Sequence, residues 1–292
     1  MAKTLLLDGF NLAFRSYYAL PDLTRSDGFP TGAIHGWVKT LWKLEDMERP
    51  DRIAVFFDEG GSDRHLEVLE DYKANRTEMP EPLSQQLESL REVTRLMGYP
   101  VVSQRGVEAD DLIASAARLL ASSDERVVVV SADKDLAQLV CNNIWQLLPA
   151  PTANPRLGWR RLDPAGVEAK FGVTPDKIPD YLALVGDSSD NIPGVTGVGP
   201  KTAARWINEY GSIDGILANA SGIKPPRFQT LLPECAELLA RNLKLVRLED
   251  SFAVPELKVE APNTHALSDF LESMEMRHAA RQTSERYGLG IR

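Results

Sequence analysis

Three carboxylates fall within four residues in Gly106-Val107-Glu108-Ala109-Asp110-Asp111. They stand where an extended apolar run, Tyr99 to Ser103, gives way to a helical pattern of Leu112, Ile113, Ala116, Ala117, Leu119 and Leu120. A helix N-terminus stabilises one acid by about 0.3–1 kcal/mol, so a single carboxylate there would read as an ordinary cap. Three are different. Unit charges ~4 Å apart repel by roughly 4 kcal/mol at an effective dielectric of about 20, more than the helix end returns. The cluster calls for cations. Carboxylates without His or Cys among them are hard oxygen ligands, the set that suits Mg²⁺ or Mn²⁺ and not zinc.

Other acids are placed to join them. Lys3 to Leu7 is an apolar run ending in Asp8-Gly9, and Arg52 to Phe57 is a second, ending in Asp58. Arg126 to Val130 is a third, followed by Ser131-Ala132-Asp133-Lys134-Asp135, and Ile144 to Leu148 reads as a further strand. After a turn-rich loop from Pro21 to Gly32, Ile34, Trp37, Val38, Leu41, Trp42 and Leu44 recur at helical spacing up to Pro50, with the tryptophans as core. Leu83, Leu87, Leu90, Val93 and Leu96 mark another helix, and 109–122 a third. Strands alternating with helices predict an α/β fold, a mostly parallel sheet flanked by helices. In such sheets the functional crevice lies at the carboxyl ends of the strands. One Asp after a strand is ordinarily a turn residue; three strands ending in Asp, beside an acidic helix start, converge on one edge. A haloacid-dehalogenase reading of Leu5-Leu6-Leu7-Asp8 fails, because Phe10 stands where that chemistry needs a second Asp. Beyond about Pro149 helices near 164–171, 179–185, 200–209 and 233–248 suggest a mainly helical second module, which divides the chain into 1–150 and 151–292.

The second informative stretch runs Gly186-Asp187-Ser188-Ser189-Asp190-Asn191-Ile192-Pro193-Gly194-Val195-Thr196-Gly197-Val198-Gly199-Pro200-Lys201-Thr202. A P-loop fits poorly, since Pro200 separates Gly199 from Lys201 and no apolar strand precedes it. Gly197-Val198-Gly199 also lacks the third glycine of a dinucleotide fingerprint. A helix–hairpin–helix over about 178–210 fits better, its second helix opening at Pro200, a favoured first helical position. Glycines let the hairpin backbone approach a ligand, the helix start offers free N–H groups, and Lys201 adds charge. A nucleic-acid phosphate is the simplest such ligand; a plain glycine-rich turn is the bland alternative.

Together, Asp8-Gly9, Phe57-Asp58, the 106–111 cluster, Asp133-Lys134-Asp135 and the 186–195 stretch resemble the 5′-nuclease (flap endonuclease) family, most of all the 5′→3′ exonuclease domain of bacterial DNA polymerase I. The likeness runs from residue 4 to about 250. It implies a PIN-like sheet and a helix–three-turn–helix that grips duplex DNA. It also implies two divalent ions, Mg²⁺ or Mn²⁺, that hydrolyse phosphodiesters near a 5′ end, and it allows a monovalent cation at the hairpin. By the same resemblance Asp8, Asp58, Glu108 and Asp110 would hold the first ion. Asp133, Asp135, Asp187 and Asp190 would hold the second, with Asp110 or Asp111 near both. The polar stretch Glu59 to Pro82 is too long for a routine connection and resembles the family's helical arch. There Lys73 and Arg76 of Asp71-Tyr72-Lys73-Ala74-Asn75-Arg76 would meet the scissile phosphate, with Arg15 a similar candidate. Phe14 and Tyr72 are candidates for DNA contact, Phe14 by stacking on a terminal base or else as core. Gly194, Gly197, Gly199, Lys201 and Thr202 would contact the duplex. Expected substrates are DNA with a 5′ flap, nick or 5′ end, in primer removal and repair. A PIN-like ribonuclease would share the acidic pocket without needing the hairpin, and a non-catalytic DNA-junction module would not need intact carboxylates.

Composition bounds these readings. The 292 residues, 43% hydrophobic, suffice for a full core. No apolar run approaches the ~20 residues of a membrane span, and the N-terminus enters a strand with no signal-peptide pattern. Cys141 and Cys235 are isolated, and His35, His65, His265 and His278 form no metal motif. A monomeric, reduced, cytoplasmic protein is expected, without membrane contact. The net charge of −9 argues at first against a polyanionic partner, yet setting the nine site acids aside leaves 33 acids against 33 bases. DNA affinity must then come from local patches. With no polymerase sequence following, a stand-alone member or an excised domain is expected. In the 251–292 tail, Leu267, Phe270, Leu271 and Met274 suggest a packing helix.

Overall fold

Alternation along the strands decides which side chains meet. The structure, a computed structural model, describes residues 2–20, 22–121, 125–151 and 153–288. Pro21, the last position of the expected 109–122 helix and the final four residues of the expected helical module lie outside them. One sheet contains β1 (Ala2–Asp8), β2 (Arg52–Phe56), β3 (Val101–Val102), β4 (Glu125–Val130), β5 (Ile144–Leu148) and β6 (Arg160–Leu162), in the order β3-β2-β1-β4-β5-β6. All neighbours are parallel except β6, which pairs antiparallel with β5. Leu5, Leu7, Ile53, Val55, Val128 and Val130 face one side, and Leu6, Ala54, Phe56, Val127 and Val129 the other. Strands apolar on both faces must be covered on both.

The first face is covered by α1 (Gly9–Ala19), α2 (Gly32–Glu48) and α5 (Leu87–Leu96), whose buried side chains include Leu12, Ile34, Trp37, Leu41, Leu90 and Val93. Between β2 and α5 the chain forms α3 (Asp63–Val68), turns through Lys73, and then α4 (Glu81–Ser84). The opposite face is covered by α6 (Ala109–Ala121), through Leu112, Ile113, Ala116 and Ala117. The expected edge strand 99–103 shortens to two paired residues, and β6 extends the sheet past the expected boundary at 150.

The helical part contains α7 (Pro164–Phe171), α8 (Ile178–Val185), a small ribbon of β7 (Gly186–Asp187) and β8 (Ile192–Pro193), and α9 (Pro200–Tyr210). There follow α10 (Ile213–Ala218), α11 (Arg227–Glu234) and α12 (Ala236–Val246). The expected single helix 233–248 is thus split: Pro233 lies in the last turn of α11, and α12 begins afresh at Ala236. These helices share a core of Trp206, Phe228, Leu182, Leu232 and Leu239, with Trp206 edge-on to Phe228 at 4.9 Å.

The tail then returns to the sheet. Leu248, Phe252, Val254 and Leu257 pack on the α6 side, while α13 (Thr264–Ser273) and α14 (Arg277–Tyr287) pack on the α2 and α5 side. It crosses beside α5, where the Glu260 amide donates to Gly98 O and the Asn263 amide to Leu96 O, both at 2.9 Å. Among the described residues no helix is long and apolar enough to cross a membrane.

Candidate metal centre and active site

The order of the strands places the acids. The chain steps outward from β1 to β2 and β3, then returns to β4 on the other side of β1, so the carboxyl ends of β1 and β4 flank the switch point of the sheet. Asp8 ends β1 and caps α1, accepting the Asn11 amide at 3.0 Å. Its second oxygen accepts the Ser131 hydroxyl from the end of β4 at 2.7 Å. Asp58, two residues beyond β2, accepts the Ala109 amide at 2.7 Å and so fixes the start of α6. That anchoring delivers Glu108 and Asp110 to the same edge. Asp133 accepts the Asp135 amide at 2.9 Å, which turns the chain after β4 and buries Asp135.

The β7–β8 ribbon supplies the last two acids. Asp187 accepts from Lys134 Nζ at 3.0 Å and from the Ser189 amide at 2.9 Å. Asp135, Asp187 and Asp190 are all buried, each presenting an oxygen within 4.8 Å of the others. The ribbon requires two glycines. Gly186 has φ +78°, and a Cβ there would stand 2.3 Å from Gly194 N; one on Gly194 would stand 2.2 Å from Val185 O. From behind, buried Asn242 of α12 donates to Ala183 O at 3.0 Å and Pro193 O at 2.7 Å, which ties α8 to the second strand of the ribbon.

The 59–82 segment folds across this pocket. Lys73 donates to Glu108 Oε1, and its own amide to Asp190 O at 3.1 Å. Arg76 reaches Asp190 Oδ1 at 2.5 Å. Asn75 donates to Ser188 O at 2.6 Å and Asn191 to Asp71 O at 2.9 Å, so the segment and the ribbon are tied directly.

Electrostatics test whether these residues fit a divalent ion. Burial pushes Asp8 up to about 7, with Asp133 and Asp58 adding to it. Burial also raises Asp110 and Asp135 well above the usual range, and in both Asp133 reinforces the shift. Asp58 and Asp133 are raised by burial as well. For Glu108 burial would act upward, but hydrogen bonding from His65 and the charge of Lys73 hold it at about 2. Asp135 Oδ1 is buried with no hydrogen-bond partner among the described residues. A buried, unpartnered oxygen beside two further carboxylates is a donor set short of a cation, and oxygen-only ligands select a hard divalent ion. The residues fit.

Comparison with known proteins identifies the family and the fold. Residues 3–172 match the 5′-3′ exonuclease N-terminal resolvase-like domain, and residues 173–265 the 5′-3′ exonuclease C-terminal SAM fold. The chain belongs to the 5′-3′ exonuclease family. It is 38% identical over 289 residues to a 5′-3′ exonuclease of Aquifex aeolicus, covering 97% of this chain and 96% of that one. It is 36% identical to DNA polymerase I of Rhizobium leguminosarum, covering 96% of this chain but spanning only 28% of the polymerase. In fold it matches a bacteriophage T5 flap endonuclease, solved in a complex with DNA and metal ions, with a TM-score of 0.71. There the identity is 23%, over 97% of this chain and 100% of that one. The α/β and helical parts of this exonuclease-family chain thus carry the architecture expected from its motifs.

Within this 5′-3′ exonuclease-family fold Asp111, alone among the expected metal ligands, turns away from the pocket: its oxygens take the Glu249 amide at 2.8 Å and Arg64 at 3.4 Å, which tie α6 to the tail. Tyr72 is buried, its ring stacked on His65 and its hydroxyl donating to Glu108 Oε2 at 3.1 Å, so it offers no face to a base. Phe14 is half-buried against the α2 side of the core, and Arg15 is half-buried on α1. Gly194 serves the ribbon's close approach. Gly197 (φ +80°), Gly199 and Thr202 line an accessible turn, anchored beneath by buried Val195 and Val198, with Lys201 exposed. Sequence reading missed His65, Ser131, Lys134, Ser189 and Asn242. Their partners lie far off in sequence or inside turns, and no spacing announces them.

The raised acids set a pH dependence. An Asp titrates ordinarily at 3.8, and Asp8 in the fold at about 7. Between those values the folded state binds more protons than the unfolded one. The stability from this group is therefore present below about pH 4 and lost as pH rises through about 7; Asp110 and Asp135 act in the same direction. Glu108, held at about 2 against an ordinary 4.5, contributes stability that fades only toward strong acid. Chelated protein should accordingly lose thermal stability from pH 5.5 to pH 8, and Mg²⁺ should raise its Tm more at pH 8. Equal Mg²⁺ effects at both pH values in thermal melts would contradict this.

Proposed function

We propose that this chain is a structure-specific 5′→3′ exonuclease and flap endonuclease, hydrolysing DNA phosphodiesters near 5′ ends with two divalent ions, Mg²⁺ or Mn²⁺. The observation that carries this is the pocket itself. Asp8, Asp58, Glu108, Asp110, Asp133 and Asp135 converge from the sheet's strand ends and the start of α6, Asp187 and Asp190 join them from the ribbon, and Lys73 and Arg76 cross the group. Asp8, Asp58, Glu108 and Asp110 would hold one ion and Asp133, Asp135, Asp187 and Asp190 the other. When bound, the ions would supply a hydroxide nucleophile at neutral pH and neutralise charge on the phosphate oxygens. Within the chain, Lys73 and Arg76 would leave their carboxylates to meet the phosphate's developing charge. The half-exposed turn at Gly197 and Gly199 and the exposed Lys201 would hold the duplex backbone without reading sequence. The ribbon joins that turn to Asp187 and Asp190, so gripping the duplex and presenting the acids are tasks of one segment. The kinship to DNA polymerase I supports a role in primer removal and repair.

A 5′-labelled flap duplex, incubated with Mg²⁺ and then with excess chelator, tests this. Cleavage near the junction is expected only with the metal, because among the described residues no side chain is placed to replace activated water. Full cleavage in chelator, or preference for single-stranded RNA, would overturn it.

A further inference from the structure

One buried group beside the pocket has no part in the reading above. His65, on α3, is 4% exposed. Its Nδ1 lies 3.2 Å from Glu108 Oε2 and 2.6 Å from Ser62 Oγ, and its Nε2 lies 3.0 Å from Arg64 Nη2. Its ring is stacked on Tyr72 at 4.6 Å and 24°. A guanidinium can only donate, so Nε2 must accept, and the single ring proton sits on Nδ1. That N–H lies between Ser62 Oγ at 2.6 Å and Glu108 Oε2 at 3.2 Å. Tyr72, held flat by the stack, donates to the same carboxylate oxygen at 3.1 Å. Arg64 is itself fixed, reaching Asp111 Oδ2 at 3.4 Å and Arg247 O at 3.3 Å.

We infer that His65 is a positioning residue for Glu108, presenting an Nδ1–H donor to its carboxylate and orienting the Tyr72 hydroxyl, with its tautomer set from behind by Arg64. This rests on the reading of Glu108 as a metal ligand. Groups that orient a metal's ligands commonly control affinity by about 10–100-fold. The inference separates His65 from a residue that merely fills space, since the donor on one particular nitrogen is what matters.

The test is a Mn²⁺ titration of the full chain, followed by electron paramagnetic resonance of the free ion, at a temperature where near-ultraviolet circular dichroism shows each variant folded. His65→Phe keeps the ring against Tyr72 but removes the donor, and Mn²⁺ affinity should fall about 10–100-fold. His65→Gln, whose amide reaches the Arg64 side instead, should fall similarly and serves if the Phe variant does not fold. His65→Asn places an amide near the Nδ1 position and should recover most of the affinity. Wild-type affinity in the Phe and Gln variants would overturn the inference, as would an Asn variant as weak as they are, which would leave His65 with packing alone. Absence of saturable Mn²⁺ binding in the wild type would instead overturn the metal reading, and this inference with it.

Discussion

Asp135→Asn is expected to give a protein that melts at a higher temperature in chelator than its parent and has lost nearly all cleavage. The two effects share one cause. Asp135 is 8% exposed, and burial and then Asp133, Asp187 and Asp190 all disfavour its charge. A neutral amide of the same shape removes that unfavourable charge and supplies a donor to the neighbouring carboxylates. Without metal, the fold should gain. With metal, a direct ligand is missing, and the loss of single-turnover rate should exceed the about 10–100-fold typical for groups that only support a ligand. Thermal melts in chelator and rapid-mixing cleavage of a flap duplex with Mg²⁺ measure both. An unchanged rate would remove Asp135 from the site, and a lower Tm would show that its charge is not a burden to the fold.

Lys73→Ala should behave in the opposite way in chelator. Burial alone would lower the Lys73 ammonium, but Glu108, Asp110 and Asp190 outweigh it and raise it. Here the chain's own cation offsets the acids, so its removal should lower the Tm of the metal-free protein. Divalent ions should restore much of that loss. The single-turnover rate should fall by about 10²–10³, as for the loss of one positioned donor at a developing charge, while duplex affinity changes less. A Tm that Mg²⁺ cannot restore would mean Lys73 holds the segment by packing. An unaffected single-turnover rate would mean the segment takes no part in the chemistry.

The acids were legible because open parallel sheets send the ends of their strands to one edge, and because Asp8, Asp58 and Asp133 each follow an apolar run. Asp111 was not distinguishable from Asp110 by spacing. Consecutive helix residues point about 100° apart, so one faces the pocket and the next faces the tail. Tyr72 reads as an exposed aromatic in a basic run, but the left-handed turn at Lys73 (φ +57°) carries its ring inward onto His65. Edge strand β6 was missed because Arg-Arg-Leu has no apolar alternation to show, and its one core side chain is Leu162. Lone His65 carried no signal, since the Glu108 carboxylate beside it is distant in sequence.

Asn242 gives the nuclease a schedule. Asp187 and Asp190 sit on a ribbon that is tied to the preceding helix by an amide some fifty residues further along the chain. A ribosome releases the strands of the N-terminal sheet first, at about 5–20 residues per second, so Asp8, Asp58 and Glu108 are synthesised while Asp187 and Asp190 are still unmade. The tether from α12 can form only once Asn242 has emerged. A chain that ends before α12 lacks this tether, which belongs only to the completed fold.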